Sequence, residues 1–284
     1  MLRAGLALLV ALIAAVPGSA TAAPRDERLG DVRDFAFAIG SGALDKPLGE
    51  YDLVVVDGVE ASRRRVAQLR RRGAVVLAYL SVGTIERGRP WSRAAARFRL
   101  DRLEEWDEWY ADVNARGYRR LVAGRVAPSL LRKGFDGLFL DNTDMVEEFK
   151  KERAGMRALV RALSALARGR GGLLFSQNGQ ASIGPLLPFY DGWNREDVTS
   201  TYSFKRKRYV RTSPAQLADA QAALRRISAA GLLVTTADYT AAGDLATEQA
   251  AVANSCAAGA IPFVGDIGLR RLPAQPLACA SPAP

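Results

Sequence analysis

The sequence predicts an α/β fold of one domain, a TIM-type (β/α)8 barrel whose eighth helix is short or missing. Three observations predict it. Eight short apolar runs alternate with segments of helical spacing along the 284 residues, the pattern of parallel strands covered by helices. No repeat and no linker interrupts the series before the proline-rich end. Most runs stop at polar side chains, as strands do when their carboxyl ends open onto a wet face.

The first run is 34–41 (DFAFAIGS); the second, 51–58 (YDLVVVDG), is β-branched and stops at Asp57. Residues 60–72 carry Val66 and Leu69 at helical spacing among arginines and close at Gly73, a helix with a glycine after its last turn. The third strand, 74–83 (AVVLAYLSVG), leaves Ser81 and Glu86 at its exit. Residues 87–112 form the longest irregular insertion, with Trp91, Trp106, Trp109 and Tyr110. In a stretch so rich in Arg, Asp and Glu, some of these rings are expected to line a cleft and stack on sugar faces. A helix at 118–133 leads to the fourth strand, GFDGLFLDNTD at 134–144, where an unbroken apolar run passes straight into Asp141, Asn142 and Asp144. A longer helix, 146–168, leaves it. The fifth strand, 173–179 (LLFSQNG), ends in Gln177 and Asn178, and 183–189 is a short apolar helix or turn. The sixth, 190–199 (YDGWNREDVT), ends at Glu196 and Asp197. Ser213-Pro214 opens a helix with a cap and a first-turn proline, and Gly231 closes it. The seventh strand is 232–239 (LLVTTADY), its helix 245–258, and the eighth strand 260–268 (AIPFVGDIG). Sixteen residues follow Gly268, four of them proline, which leaves little room for an eighth helix.

Residues 1–22 read as a signal peptide: Arg3, an apolar core over 6–16 and the small residues Ala20-Thr21-Ala22. The core is shorter than the roughly 20 residues of a membrane span. Residues 23–273 are then the barrel, 274–284 a proline-rich tail, and the location secreted or periplasmic, with no stable membrane insertion after cleavage. Cys256 and Cys279 are the only cysteines, so an exported chain has one possible disulfide, which would pin the tail to the seventh helix.

Charge and composition exclude more than they assert. The formal net charge is +10, from 40 Lys and Arg against 30 Asp and Glu. The arginine clusters at 63–65 and 70–72 sit on a solvated helix face, and no nucleic-acid motif accompanies them, so nucleic acid is not an expected partner. An acidic envelope surface suits the positive exterior better. The chain has no histidine. That removes Ser-His-Asp and Cys-His catalysis, His-based zinc sites and any imidazole base, and leaves proton transfer to carboxylates.

Six of the eight strands finish near a carboxylate: Asp57, Glu86, Asp141 with Asp144, Glu196 with Asp197, Asp238 and Asp266. Helix capping accounts for some, since Asp is a favoured N-cap, and Asp144 and Asp197 fit that role as well as a functional one. Asp141 follows a buried run directly, and Glu196 is a poor cap by type.

The ordered series VLAYLSVGTIE, GFDGLFLDNTD, SQNG, GWNRED and TADYT resembles the secreted TIM-barrel glycoside hydrolases typified by endo-α-1,4-polygalactosaminidase, over roughly residues 34–272. The resemblance implies cleavage within an amino-sugar polysaccharide by two carboxylates, without cofactor or metal, with Asp141 as nucleophile or base and Glu196 as general acid. From the residues alone those roles are exchangeable. Trp193 beside Glu196 is expected to raise its pKa by desolvation, and Arg195 to oppose that if it reaches the carboxyl. The expected substrate-binding set is Asp57, Ser81, Glu86, Asn142, Asp144, Gln177, Asn178, Trp193, Asp238, Tyr239 and Asp266. So acidic a lining favours a cationic polymer, such as deacetylated galactosamine or glucosamine, unless Arg87, Arg89 and Arg195 fold over it. Two other readings are a barrel that binds glycan without cutting it, and a divalent-metal enzyme using Asp141, Asp144 and Asp266.

Overall fold

The computed structural model describes residues 25–280, so the signal peptide expected at 1–22 lies outside them. Eight parallel strands pair in sequence order: β1 Phe35–Ala38, β2 Leu53–Asp57, β3 Val75–Ser81, β4 Gly137–Asp141, β5 Leu173–Gln177, β6 Gly192–Glu196, β7 Leu233–Tyr239 and β8 Ile261–Gly265. Each lies within one of the eight apolar runs. The barrel is nearly closed. β8 returns beside β1 without a ladder between them; the rings of Phe35 and Phe263 meet edge-on at 5.9 Å, and the Gly40 N–H donates to the Leu269 carbonyl.

Side-chain alternation along the strands sorts residues between two cores. Phe37, Leu53, Val55, Leu77, Phe139, Phe175 and Phe263 fill the barrel interior, while Ala36, Val54, Val56, Val76, Leu138, Leu140 and Leu174 face the helices. Gly192 is part of the interior packing: a Cβ there would meet the Phe175 ring at 2.1 Å. The same parity determines which side chains at the strand ends reach the mouth.

The helix layer includes α1 Arg63–Arg70, capped by Ser62, α2 Arg153–Arg168, α3 Pro214–Ala229, whose Ser213 and Gln216 form a reciprocal capping box, and α4 Leu245–Cys256. Two helices expected to be continuous are interrupted. Residues 116–131 pass through a π-helical turn at Val122–Val126, and the segment before α2 is a short helix, Met145–Glu148, followed by a 3-10 turn, Lys150–Glu152.

The insertion at 87–112 is not irregular. With Thr84–Ile85 it forms a three-stranded antiparallel sheet, completed by Arg99–Leu103 and Glu108–Ala111. A second antiparallel element, the hairpin of Ser200–Ser203 and Arg208–Arg211, follows β6. Both escape sequence reading because their strands are only two to five residues long and lack a regular alternation of apolar and polar side chains.

After β8 no helix follows among the described residues, and Cys256 at the end of α4 is bonded to Cys279 in the tail. No described helix is long and apolar enough to cross a membrane.

Candidate active site

The carboxyl ends of the strands surround a cleft of about 590 Å³. Of the expected residues, Asp57, Glu86, Asp141, Asn142, Asp144, Gln177, Asn178, Glu196 and Tyr239 line it.

Asp141 closes β4 on the interior face, two residues beyond Phe139. Three donors hold its carboxyl: Tyr79 Oη at 2.6 Å, Gln177 Nε2 at 3.0 Å and the Asn142 N–H at 2.7 Å. Asn142 turns out of the strand at φ 57°, a left-handed conformation that asparagine tolerates. Gln177 is itself oriented. Thr235 Oγ1 donates to Asn194 Oδ1 at 2.8 Å, and Asn194 Nδ2 donates to Gln177 Oε1 at 3.2 Å. This relay fixes the amide so that its N–H, not its oxygen, faces Asp141.

Glu196 closes β6 in the same way. Asn178 Nδ2 donates to its Oε2 at 2.7 Å, and the Tyr239 hydroxyl donates to its other oxygen. Burial pushes the Asp141 carboxyl up from its ordinary value, with the three donors opposing. Glu196 is pushed up to about 8, first by burial and then by the charges of Asp141 and Asp197. The pair is therefore unequal: Asp141 has more donors stabilising its anion, and Glu196 feels that anion.

Four expected residues do not reach the cleft. Trp193 points the other way along β6, fully buried in the helix-side core, and its indole N–H donates to the Asn178 carbonyl at 2.6 Å. The raised pKa of Glu196 has burial as its first cause and the charges of Asp141 and Asp197 after it, while the indole lies on the other face of β6. Asp238, one residue short of Tyr239, faces outward for the same reason of parity; its Oδ1 accepts the N–H groups of Thr199 and Ser200 at the root of the hairpin. Asp266 accepts the Arg270 and Arg271 N–H groups outside the cleft. Ser81 is buried beneath it, bonded to Thr84 and Asn142. With Asp266 elsewhere, Asp141, Asp144 and Asp266 are not brought together as metal ligands. Among the described residues no group of three or more His, Cys, Asp or Glu is arranged to hold a metal ion.

Sequence reasoning missed Tyr79, Glu108, Glu147 and Glu148 in the lining. Tyr79 was findable, since it lies two residues before Ser81 on the same strand face. Glu108 was not, because the antiparallel sheet brings it in. Its carboxyl accepts from Thr84 Oγ1, and burial pushes it up to about 7. Arg89 does enter the cleft, yet it is held by Asp57 at 2.6 Å and by Glu86. Arg87 pairs with Asp107, and Arg195 donates to Asn178 Oδ1 at 3.2 Å. Of the three insertion tryptophans only Trp106 lines the cleft, with Tyr110; Trp91 borders a separate groove on the flank.

A TIM-type barrel with two buried, hydrogen-bonded carboxyls at the ends of β4 and β6, opening on one polar cleft, fits the class of glycoside hydrolases. The profile of glycoside-hydrolase family GH114 matches residues 16–274, and the chain belongs to that family, the one its strand-end motifs resemble. Among solved structures, the fold is similar to the glycoside hydrolase domain of PelA from Pseudomonas aeruginosa, with TM-score 0.73 and 22% identity over 84% of this chain and 96% of that one. It is also similar to Aspergillus fumigatus Ega3, solved in complex with galactosamine, with TM-score 0.65 and 17% identity over 87% and 93% of the two chains. A search of curated proteins found no match.

Proposed function

We propose that this glycoside hydrolase is exported and cuts within a cationic amino-sugar polymer, in the manner of an endo-α-1,4-polygalactosaminidase, with Glu196 as general acid and Asp141 as nucleophile or base. The observation that carries the reading is the charge of the cleft. Asp57, Glu86, Glu108, Asp141, Asp144, Glu147, Glu148 and Glu196 line it, against Arg89 as the only lining cation among the described residues, and Arg89 is already paired. A concave wall of one sign focuses its own field whatever the net charge of the exterior. Ammonium groups on a sugar polymer would be drawn in.

In this mechanism Glu196 delivers its proton to the glycosidic oxygen as the bond to the anomeric carbon breaks, and the bonding pair leaves with that oxygen. Asp141 either attacks the anomeric carbon or takes a proton from the water that does. The three donors on Asp141 favour it as the ionised partner; its charge in turn keeps the proton on Glu196.

The galactosamine complex of Ega3 makes a galactosamine polymer the first substrate to try. Reducing-end release should be faster on the free-amine polymer than on its fully N-acetylated form, and the difference should shrink as salt is raised. Equal rates at low salt, or preference for a uronic-acid polymer, would overturn the charge argument. No release from any amino-sugar polymer would overturn the activity. Export predicts that the protein recovered from its source cells lacks residues 1–22, as read by intact mass.

A further inference from the structure

The antiparallel sheet of the 87–112 insertion and the hairpin after β6 meet above the cleft. Trp106 stands on the 3-10 turn Glu104–Trp106 of the insertion between β3 and β4, and Phe204 at the turn of the hairpin after β6. β3 and β6 lie three positions apart in the ring of eight, nearly opposite one another across the mouth. Their rings touch edge to face, with centroids 5.3 Å apart at 74°.

This contact is not core packing. Trp106 is 49% exposed and Phe204 38% exposed, where most large aromatics of the chain are buried. The neighbouring Trp109 makes a useful contrast, since the guanidinium groups of Arg99 and Arg102 cover it at 5.0 and 5.7 Å. Trp106 has no such cover and lines the cleft. An indole left bare beside polar walls is the surface on which the apolar face of a pyranose ring stacks.

Its orientation is fixed from the far side. Phe204 packs edge-on against Tyr202 at 5.3 Å, and Tyr202 against Tyr209 at 5.1 Å. The Tyr209 hydroxyl accepts the Ile267 N–H at 3.2 Å, beyond the end of β8. A row of rings thus runs from the barrel rim to Trp106, with its last contact spanning the mouth.

We propose that Trp106 is a sugar-stacking platform for polymer residues beyond those reacting at Asp141 and Glu196, and that Phe204 is the positioning residue that holds it from the opposite wall. The proposal rests on the functional reading above and deepens it. A polymer crossing the mouth meets this ring, whereas an oligomer short enough to occupy only the catalytic position does not. The platform therefore acts on affinity for long chains and leaves bond cleavage alone.

The test uses the full-length protein with Trp106→Ala, Phe204→Ala and Phe204→Tyr, and Trp91→Ala in the separate flank groove as control. On the long polymer, Trp106→Ala and Phe204→Ala should raise KM about tenfold, with kcat changed less than about twofold, as loss of one aromatic contact predicts. Phe204→Tyr should restore KM. The shortest cleaved oligomer should show no such change, and Trp91→Ala should match the unsubstituted chain on both. Binding is read separately in the inactive Glu196→Gln protein, where galactosamine oligomers of increasing length should gain affinity with length only while Trp106 is present. If oligomers and polymer bind but their length dependence survives Trp106→Ala, or if Phe204→Ala alters kcat and KM alike, the platform is refuted while the activity stands. If no amino-sugar polymer binds the Glu196→Gln protein, the functional reading fails and the platform fails with it.

Discussion

At the residue scale the site depends on the inequality between two carboxyls of similar burial. Asp141→Asn and Glu196→Gln should each lower kcat by about a thousandfold, the scale of losing a general acid or base, while leaving Tm nearly unchanged, since each amide keeps the shape of a side chain whose ionised form is disfavoured by burial. The pH profile follows from the direction of the shifts. In the proposed mechanism Glu196 holds its proton to act as acid, so activity should fall as pH rises through about 8. In the same mechanism Asp141 is ionised, so activity should fall on the acid side as well, with a limb raised from the ordinary value of an aspartate by burial. Tyr239 supplies a sharper check. Its hydroxyl favours the anion of Glu196, so Tyr239→Phe should raise the pKa of Glu196 and move the alkaline limb of kcat to higher pH. A limb that stays in place, or moves down, would mean that another group supplies the proton.

At the element scale, no helix follows β8 among the described residues, and a covalent tie holds the tail there instead. Cys256 and Cys279 are separated by 23 residues, and a loop of that size contributes on the order of 3 kcal/mol in the chain-entropy model. The double variant Cys256→Ser, Cys279→Ser should therefore melt several degrees lower while its kcat on the amino-sugar polymer is retained, because the tie lies away from the mouth. Thiol titration of the denatured, unreduced protein should find no free thiol; two would contradict the bond. The antiparallel insertions belong to this scale too. They are anchored separately, one through Tyr118 and Glu108 to the segment after β3, the other through Asp238 and Thr212 to the segment after β6. Each brings groups to the mouth that no barrel strand supplies.

At the scale of the whole molecule, a basic exterior encloses an acidic interior, and the enclosed acids make stability depend on pH in an unusual sense. Burial pushes Glu108, Asp144 and Asp238 up to about 7 and Glu196 up to about 8. In the unfolded chain such groups titrate near pH 4. Between those limits the folded state binds more protons than the unfolded state, so stability rises as pH falls from about 8 toward about 5. Thermal melts at low salt should give a higher Tm at pH 5.5 than at pH 8.5. An equal Tm at the two pH values, or a lower one at pH 5.5, would show that these acids do not hold their protons in the folded state over this range.

The eight strands, their order and the two carboxyls at the ends of β4 and β6 were legible because a strand buried on both faces must be apolar along its length, and a polar residue marks where it emerges. That no helix follows β8 among the described residues agrees with the prolines that follow Gly268. Which strand-end residues reach the cleft depends on a parity of one residue. Trp193 and Glu196 sit three apart and face opposite sides, as do the adjacent Asp238 and Tyr239. Alternation could have separated them had the strand ends been known to the residue. Aromatic rings of the insertion were expected at a cleft, but nothing local separated Trp106 from Trp91 and Trp109 or announced Glu108 and Phe204, because short antiparallel strands need no apolar stripe and only the folding of two distant loops over one mouth brings these side chains together.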